Sequence, residues 1–207
     1  ITRTNVLPGL GMLYGLTDWV DVFAGAYRGF SPVAPGQSEE VKPELSWNYE
    51  AGIRTVQGQT HAEVVGFYND YINLSGQCTL SGGCDSEQID QQFNGGEVQV
   101  YGLEFAAGHT VLLPGQLSIP VATTFTWTES EFQTGFTSGF AQFGTVEIGD
   151  FLPYAPRMQA SGNLTLSHPR GSLGAGVSWH GGMLDEAGVW PEDLTEDSHI
   201  PPLLLLV

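Results

Sequence analysis

The sequence predicts an all-β fold built as an antiparallel sheet of about nine up-and-down strands, on three observations. Apolar and polar residues alternate at period 2 along most of the chain, which puts successive side chains on opposite faces of a strand. The connections between these segments alternate between very short and long. The segments run to about 10 residues or more, the length a tilted membrane strand needs, whereas soluble strands usually have five or six.

Taken in chain order, the first two strands are read at 5–14 and 20–30. The third is clean: Leu45, Trp47, Tyr49, Ala51 and Ile53 alternate with Ser46, Asn48, Glu50, Gly52 and Arg54. Strands at 60–73 and 97–111 follow. The next sets Leu117, Ile119, Val121, Phe125 and Trp127 against Ser118, Thr124, Thr126 and Thr128, with Pro120 giving up one ladder donor. Met158, Ala160, Gly162, Leu164 and Leu166 then alternate with Arg157, Gln159, Ser161, Asn163, Thr165 and Ser167. Leu173, Ala175, Val177 and Trp179 do so with Ser172, Gly174, Gly176, Ser178 and His180. A last strand is read at 199–207.

Segments 16–19, 56–59, 113–116 and 169–171 are tight, turn-rich links. Segments 31–44, 74–96, 129–156 and 185–198 are long, acidic and rich in Gly, Ser and Pro. Turns on one rim and loops on the other are the layout of a transmembrane β-barrel with short periplasmic turns and long extracellular loops. The composition of the polar face agrees. It is built of Ser, Thr, Gly, Asn and Gln with occasional charges and no Lys, as suits a wet lumen, while soluble sheets guard exposed faces with Lys and Glu. Aromatics gather near the loop side at Trp47, Tyr49, Phe67, Tyr71, Tyr101, Trp127 and Trp179, and near the turn side at Tyr14 and Trp19, like interfacial girdles. A soluble β-sandwich is the alternative reading of the alternation.

Composition narrows the function. Of 207 residues 41% are apolar and 28 are glycine, too apolar for a disordered segment and too glycine-rich for a helical bundle. Six Lys plus Arg against 23 Asp plus Glu give a formal charge of -17, the wrong sign for tracking nucleic-acid phosphates. No stretch approaches the roughly 20 apolar residues of a membrane helix. The chain starts at Ile1 without an initiator Met or leader and stops within the run Leu203 to Val207, so it reads as a fragment. Cys78 and Cys84 lie in QCTLSGGCDSEQ, where a short disulfide-closed loop is plausible in an oxidising compartment.

Several segments carry a family likeness. VFAGAYRGFSPVAPG, VKPELSWNYEAGIRT, GFYNDYINL, VQVYGLEFAAG and FLPYAPRMQASGNLTL, in that order, resemble the C-terminal barrel half of TonB-dependent outer-membrane receptors, most of all the ferric dicitrate type. The marks are Arg28 and Phe30, then Lys42, Pro43 and Glu44 before Trp47, Asn48, Tyr49 and Glu50. Phe67 to Tyr71, Tyr101 to Glu104, and Leu152 to Arg157 complete the set. The resemblance implies a Gram-negative outer-membrane barrel of roughly 22 strands around an N-terminal plug, energised through TonB. Residues 1–207 would be a part of that barrel, with the plug, the coupling motif and the final strands lying outside.

No catalytic constellation is present, so an enzyme is not expected, nor is a cofactor. The five histidines lack metal-ligand spacing, and His61, His109 and His168 fall near the turn-side strand ends. Glu50, Arg54 and Glu104 occupy polar-face positions and should line the lumen, facing a plug or screening one another. Arg28 and Arg157 stand at loop-side strand ends, where an anionic ferric chelate would arrive, and guanidinium suits its carboxylates. Phe132, Phe136, Phe140, Phe143, Phe151 and Tyr154 either cover a ligand or anchor the loops, and Phe151 and Tyr154 join the arginines as the expected ligand contacts. The acidic loops, among them Glu39, Glu40, Asp85, Glu87, Asp185 and Glu186, face outward as solvated charge or bridge to lipopolysaccharide through divalent cations. That rim repels a free anion, which cuts against citrate. The expected function is import of a ferric chelate, with a passive porin and a soluble binding module as alternatives.

Overall fold

The structure is a computed structural model that describes residues 5–77, 89–140, 142–190 and 199–206. The proposed Cys78–Cys84 loop and part of the acidic loop charge, including Asp85 and Glu87, lie outside these residues.

Among the described residues fifteen strands follow in chain order: β1 Gly9–Thr17, β2 Val20–Ser31, β3 Glu44–Gln57, β4 Thr60–Ile72, β5 Ser75–Gln77, β6 Gln92–Asn94, β7 Val98–Leu113, β8 Leu117–Phe132, β9 Phe136–Thr137, β10 Thr145–Val146, β11 Met158–His168, β12 Gly171–His180, β13 Met183–Leu184, β14 His199–Ile200 and β15 Leu203–Leu206. One nine-stranded antiparallel sheet takes the long ones in the order β1-β2-β3-β4-β7-β8-β11-β12-β15. Once the three ribbons β5–β6, β9–β10 and β13–β14 are set aside as loop structure, every sheet neighbour is a sequence neighbour. This is the up-and-down topology expected.

Two expected boundaries shift for physical reasons. The first strand begins at Gly9 instead of residue 5: Pro8 has no N–H to donate, and its carbonyl takes the Arg28 N–H at 2.9 Å as the sheet opens. The last expected strand is cut by Pro201 and Pro202, two residues without ladder donors. His199–Ile200 pairs instead with Met183–Leu184, and Leu203–Leu206 joins β12.

Register decides which residues share a face, because partners directly opposite in an antiparallel pair project to the same side. One row across eight strands reads Val22, Ile53, Val64, Phe105, Phe125, Ala160, Trp179 and Leu204. The row one residue over, on the other face, reads Asp21, Arg54, Glu63, Ala106, Thr124, Ser161, Ser178 and Leu205. The apolar face is open: Ile53 is 45% exposed, Val64 41% and Leu103 50%. A contiguous apolar surface of this extent has no protein partner among the described residues, and a bilayer is the solvent that suits it.

Nearer the loops the apolar face carries the row Ala26, Tyr49, Tyr68, Tyr101. Its rings run as a ladder from Trp47 through Tyr49, Tyr68 and Tyr101 to Trp127, with centroids 6.2 to 6.4 Å apart. This is the aromatic girdle, and its membership differs from the expectation in β12, where Trp179 lies in the row of Ile53 and Phe105, and in β4. Within the Phe67 to Tyr71 run only Tyr68 and Asp70 share the girdle's face. Phe67 lies opposite Glu50 and Gly102, and Tyr71 opposite Ser46 and Val98, on the polar face.

Candidate functional site

The polar face turns apolar at its loop end, and there the long loops find their core. Tyr71, Val98 and Phe132 lie in one row. Val98 and Phe132 are fully buried beneath Phe143 and Val146, with Phe93, Phe136, Phe140 and Leu152 packed around them. Phe93 meets Phe140 at 4.5 Å and Phe143 at 5.0 Å, and Phe132 meets Phe136 edge-on at 5.6 Å. Polar side chains stitch a third loop to this core: Gln92 Oε1 accepts from Ala34 N at 2.8 Å, Asn94 Oδ1 from Lys42 N at 2.7 Å, and Glu44 Oε2 from Ser75 N at 2.8 Å. Phe132, Phe136, Phe140 and Phe143 therefore act as loop anchors, one of the two readings the sequence left open.

Phe151, Tyr154 and Arg157 assemble a second feature at the same end. The Arg157 guanidinium donates to Glu129 Oε1 and lies between two rings, 5.6 Å from the Phe151 centroid and 5.5 Å from that of Trp190. The Glu129 side chain is 7% exposed and that of Arg157 42%. Phe151 bridges Gly188, and Tyr154 N donates to Leu184 O at 2.8 Å, so Arg157 sits where loop 133–157 meets loop 181–190. Tyr154 itself is 46% exposed, its backbone in the left-handed region at φ 57°. Glu129 and Trp190 were missed in the sequence. Glu129 stands past the expected end of its strand, and nothing local marks Trp190 as the partner of an arginine 33 positions earlier.

Arg28 is not brought to this cluster. It pairs in register with Trp47 on the apolar face, its guanidinium 5.7 Å from the indole centroid. The expected lumen residues do share the polar face. Arg54 Nε donates to Asp21 Oδ2 at 3.1 Å and has Glu63 opposite it on the other side. Glu104 and Glu63 border a shallow recess of about 260 Å³ with Thr124 and Thr126, and Glu50 stands over Gly25. His61, His109 and His168 are at the turn side as expected: His61 lies against Gly108, His109 Nδ1 is 2.7 Å from Thr60 Oγ1, and His168 Nδ1 accepts from Arg170 N. No group of three His, Cys, Asp or Glu among the described residues is arranged to hold a metal.

An up-and-down sheet with a lipid-suited face, an aromatic girdle, a polar opposite face and packed loops on one rim is a segment of a large transmembrane β-barrel. Residues 1–201 match the family model for TonB dependent receptor-like β-barrels, and the chain belongs to that family. Its members are receptors and not enzymes. The fold is similar to that of the ferric yersiniabactin uptake receptor FyuA from Yersinia pestis, at 20% identity and a TM-score of 0.63 over 97% of this chain and 28% of the other. The siderophore receptor PirA from Acinetobacter baumannii aligns at 16% identity and 0.64, over 98% of this chain and 34% of its own. The ferric enterobactin receptor PfeA from Pseudomonas aeruginosa, solved with enterobactin, aligns at 22% and 0.60, over 98% and 32%. The chain thus spans about a third of the length of these receptors. No curated protein sequence matches it.

Proposed function

We propose that this chain is part of an outer-membrane receptor of a Gram-negative bacterium that imports a ferric chelate and is energised through TonB. The observation that carries the reading is the pairing of an open apolar face with a charged polar one across the same eight strands, in a chain of this family. Siderophore receptors among the solved structures of like fold support the cargo class. The ferric dicitrate likeness rests on strand motifs, and the loops, which differ in kind from strands, would set the cargo.

In this reading the polar face is the lumen wall, and Glu50, Arg54 and Glu104 face a plug supplied by a part of the protein outside residues 1–207. Arg54 is already paired with Asp21, so Glu50 and Glu104, with Glu63 beside them, are the carboxylates left to meet cationic groups of the plug. Ligand contact falls to Tyr154 and to the exposed edge of Arg157, with Phe151 holding Arg157 in place. Arg28 belongs to a different surface.

The test is uptake by the full-length receptor in an iron-limited strain stripped of its own receptors, supplied with a panel of iron-59 chelates. Receptor-dependent uptake of at least one chelate that stops when TonB is deleted supports the proposal. Passage that persists without TonB is porin behaviour, and no uptake of any chelate sinks the iron reading.

A further inference from the structure

At the loop end of β1 and β2 a cleft of about 960 Å³ opens between residues 5–7 and the loop 32–43. Its volume lies in the range of pockets that enclose a small molecule, roughly 300–1,000 Å³. Leu7, Phe30, Val33 and Val41 supply apolar lining, and among the described residues Glu39 is the one charged residue that lines it. The walls are fixed by the chain itself. Pro32, Pro35 and Pro43 restrict the backbone of one wall, and side chains tie that loop from behind. Gln37 Oε1 accepts from Gln92 N at 2.7 Å, Gln37 Nε2 donates to Asp90 O at 2.8 Å, and Asn94 Nδ2 donates to Lys42 O at 2.8 Å. On the other wall the bond from Arg28 N to Pro8 O holds Pro8, and with it the segment before it, against β2. A cleft built this way spends little ordering entropy on closing around a ligand.

Charge selects the occupant. Among the described residues no cation lines the cleft. Of the cations at this end, Arg157 is paired with Glu129, Arg28 lies over the Trp47 ring, and Lys42 is exposed outside the lining. The loops around it add Glu40, Asp90, Glu147, Asp150 and Glu186. A net anionic chelate placed here would set its charge against Glu39 with no partner to offset the lost hydration, whereas an uncharged one meets apolar walls at no such cost. We infer that this cleft takes an electrically neutral ferric chelate, of the class in which monoanionic bidentate groups such as hydroxamates together cancel the charge of the iron, and that it turns away the net anionic catecholate and citrate classes. The inference rests on the iron-receptor reading and narrows its cargo. Leu7, Phe30 and Val41 pack against the organic frame of the chelate, and Glu39 discriminates by repulsion.

The experiment is equilibrium binding to the full-length receptor in detergent, read by quenching of tryptophan fluorescence, joined to iron-59 uptake in the stripped strain described above. The probes are two neutral tris-hydroxamates, ferrichrome and ferric coprogen, and two anionic chelates, ferric enterobactin and ferric citrate. Wild type should bind at least one neutral chelate about tenfold or more tighter than either anion, the effect of leaving one charge unpaired. Val41→Asp should weaken that neutral chelate about tenfold by setting a charge in the apolar lining. Glu39→Lys should strengthen ferric enterobactin about fivefold, as one exposed ion pair does, and leave the neutral chelate nearly unchanged. Asp18→Lys, the same change of charge at the turn between β1 and β2, should match wild type. The comparison of chelates on wild type needs no variant and so survives a folding defect. TonB-dependent uptake of an anionic chelate in preference to both neutral ones overturns the inference and leaves the receptor reading standing. So does a neutral preference that Val41→Asp and Glu39→Lys both leave unchanged. TonB-dependent uptake of no chelate at all removes both.

Discussion

Arg157 and Glu129, 28 residues apart, close a charge-assisted contact in which the carboxylate is nearly buried and the guanidinium is stacked between Phe151 and Trp190. The asymmetry in burial makes the two partners unequal. Removing Arg157 strands a carboxylate in the interior, whereas removing the charge of Glu129 leaves a guanidinium that still reaches water. Arg157→Ala should loosen loop 181–190 by about 1.5 kcal/mol, the low end for a charged contact because the arginine is half-exposed. Glu129→Gln should cost clearly less. Limited proteolysis of the full-length receptor in detergent reads this as faster cleavage near Gly188 in the arginine variant, and equal rates for the two variants would contradict it.

Gly102 and Gly66 face the same sheet with opposite tolerance. A Cβ on Gly102 would run into the carbonyl of Trp127 and the Phe67 ring, while one on Gly66 meets only ordinary contacts, the nearest Leu103 Cδ2 at 3.5 Å. Gly102→Ala should therefore destabilise the barrel by about 1–3 kcal/mol and Gly66→Ala by much less. Urea midpoints for the full-length barrel refolded into vesicles give the comparison. A neutral Gly102→Ala would mean that β7 and β8 pack less closely than they do here.

The two faces should respond differently to the same charge. Phe105 is in the apolar row and Thr126 on the polar face opposite Glu104. Phe105→Arg should cost about 2–4 kcal/mol, as a cation near the bilayer midplane does, and Thr126→Arg should leave the midpoint within about 1 kcal/mol. Reversal of that order would mean that the lipid and lumen faces are assigned the wrong way round.

The loop core should melt separately from the sheet. Phe143 is 8% exposed against Val98, Phe132 and Val146, so Phe143→Ala should cost about 3 kcal/mol of local stability. Hydrogen–deuterium exchange should accelerate in residues 89–96 and 133–156 while β2, β3 and β4 keep their protection. Faster exchange throughout the sheet would show that the loops and barrel unfold as one unit.

Period-2 alternation made the strands legible: Val20, Thr60 and Leu117 begin where they were expected, and the four tight turns separate the strand pairs predicted. The polar-face places of Glu50, Arg54 and Glu104 followed from the same count. Boundaries failed where proline intervenes, at Pro8 and at Pro201–Pro202, and where β1 and β8 run on to Thr17 and Phe132 past their expected ends. Tyr68 was overlooked because the aromatic run Phe67 to Tyr71 hides which residues alternate outward.

The sequence by itself determined the sheet, its topology, the two faces and the family, because alternation and turn chemistry are local and strands in an up-and-down sheet pair with their chain neighbours. Tertiary structure alone decided what the charged and aromatic loop residues do. Register seated Arg28 beside Trp47, and loop folding brought Glu129 and Trp190 to Arg157 and packed four phenylalanines into the loop core, Phe132 and Phe143 of them buried. Those contacts join residues tens of positions apart through loops that have no period, so no local pattern could encode them.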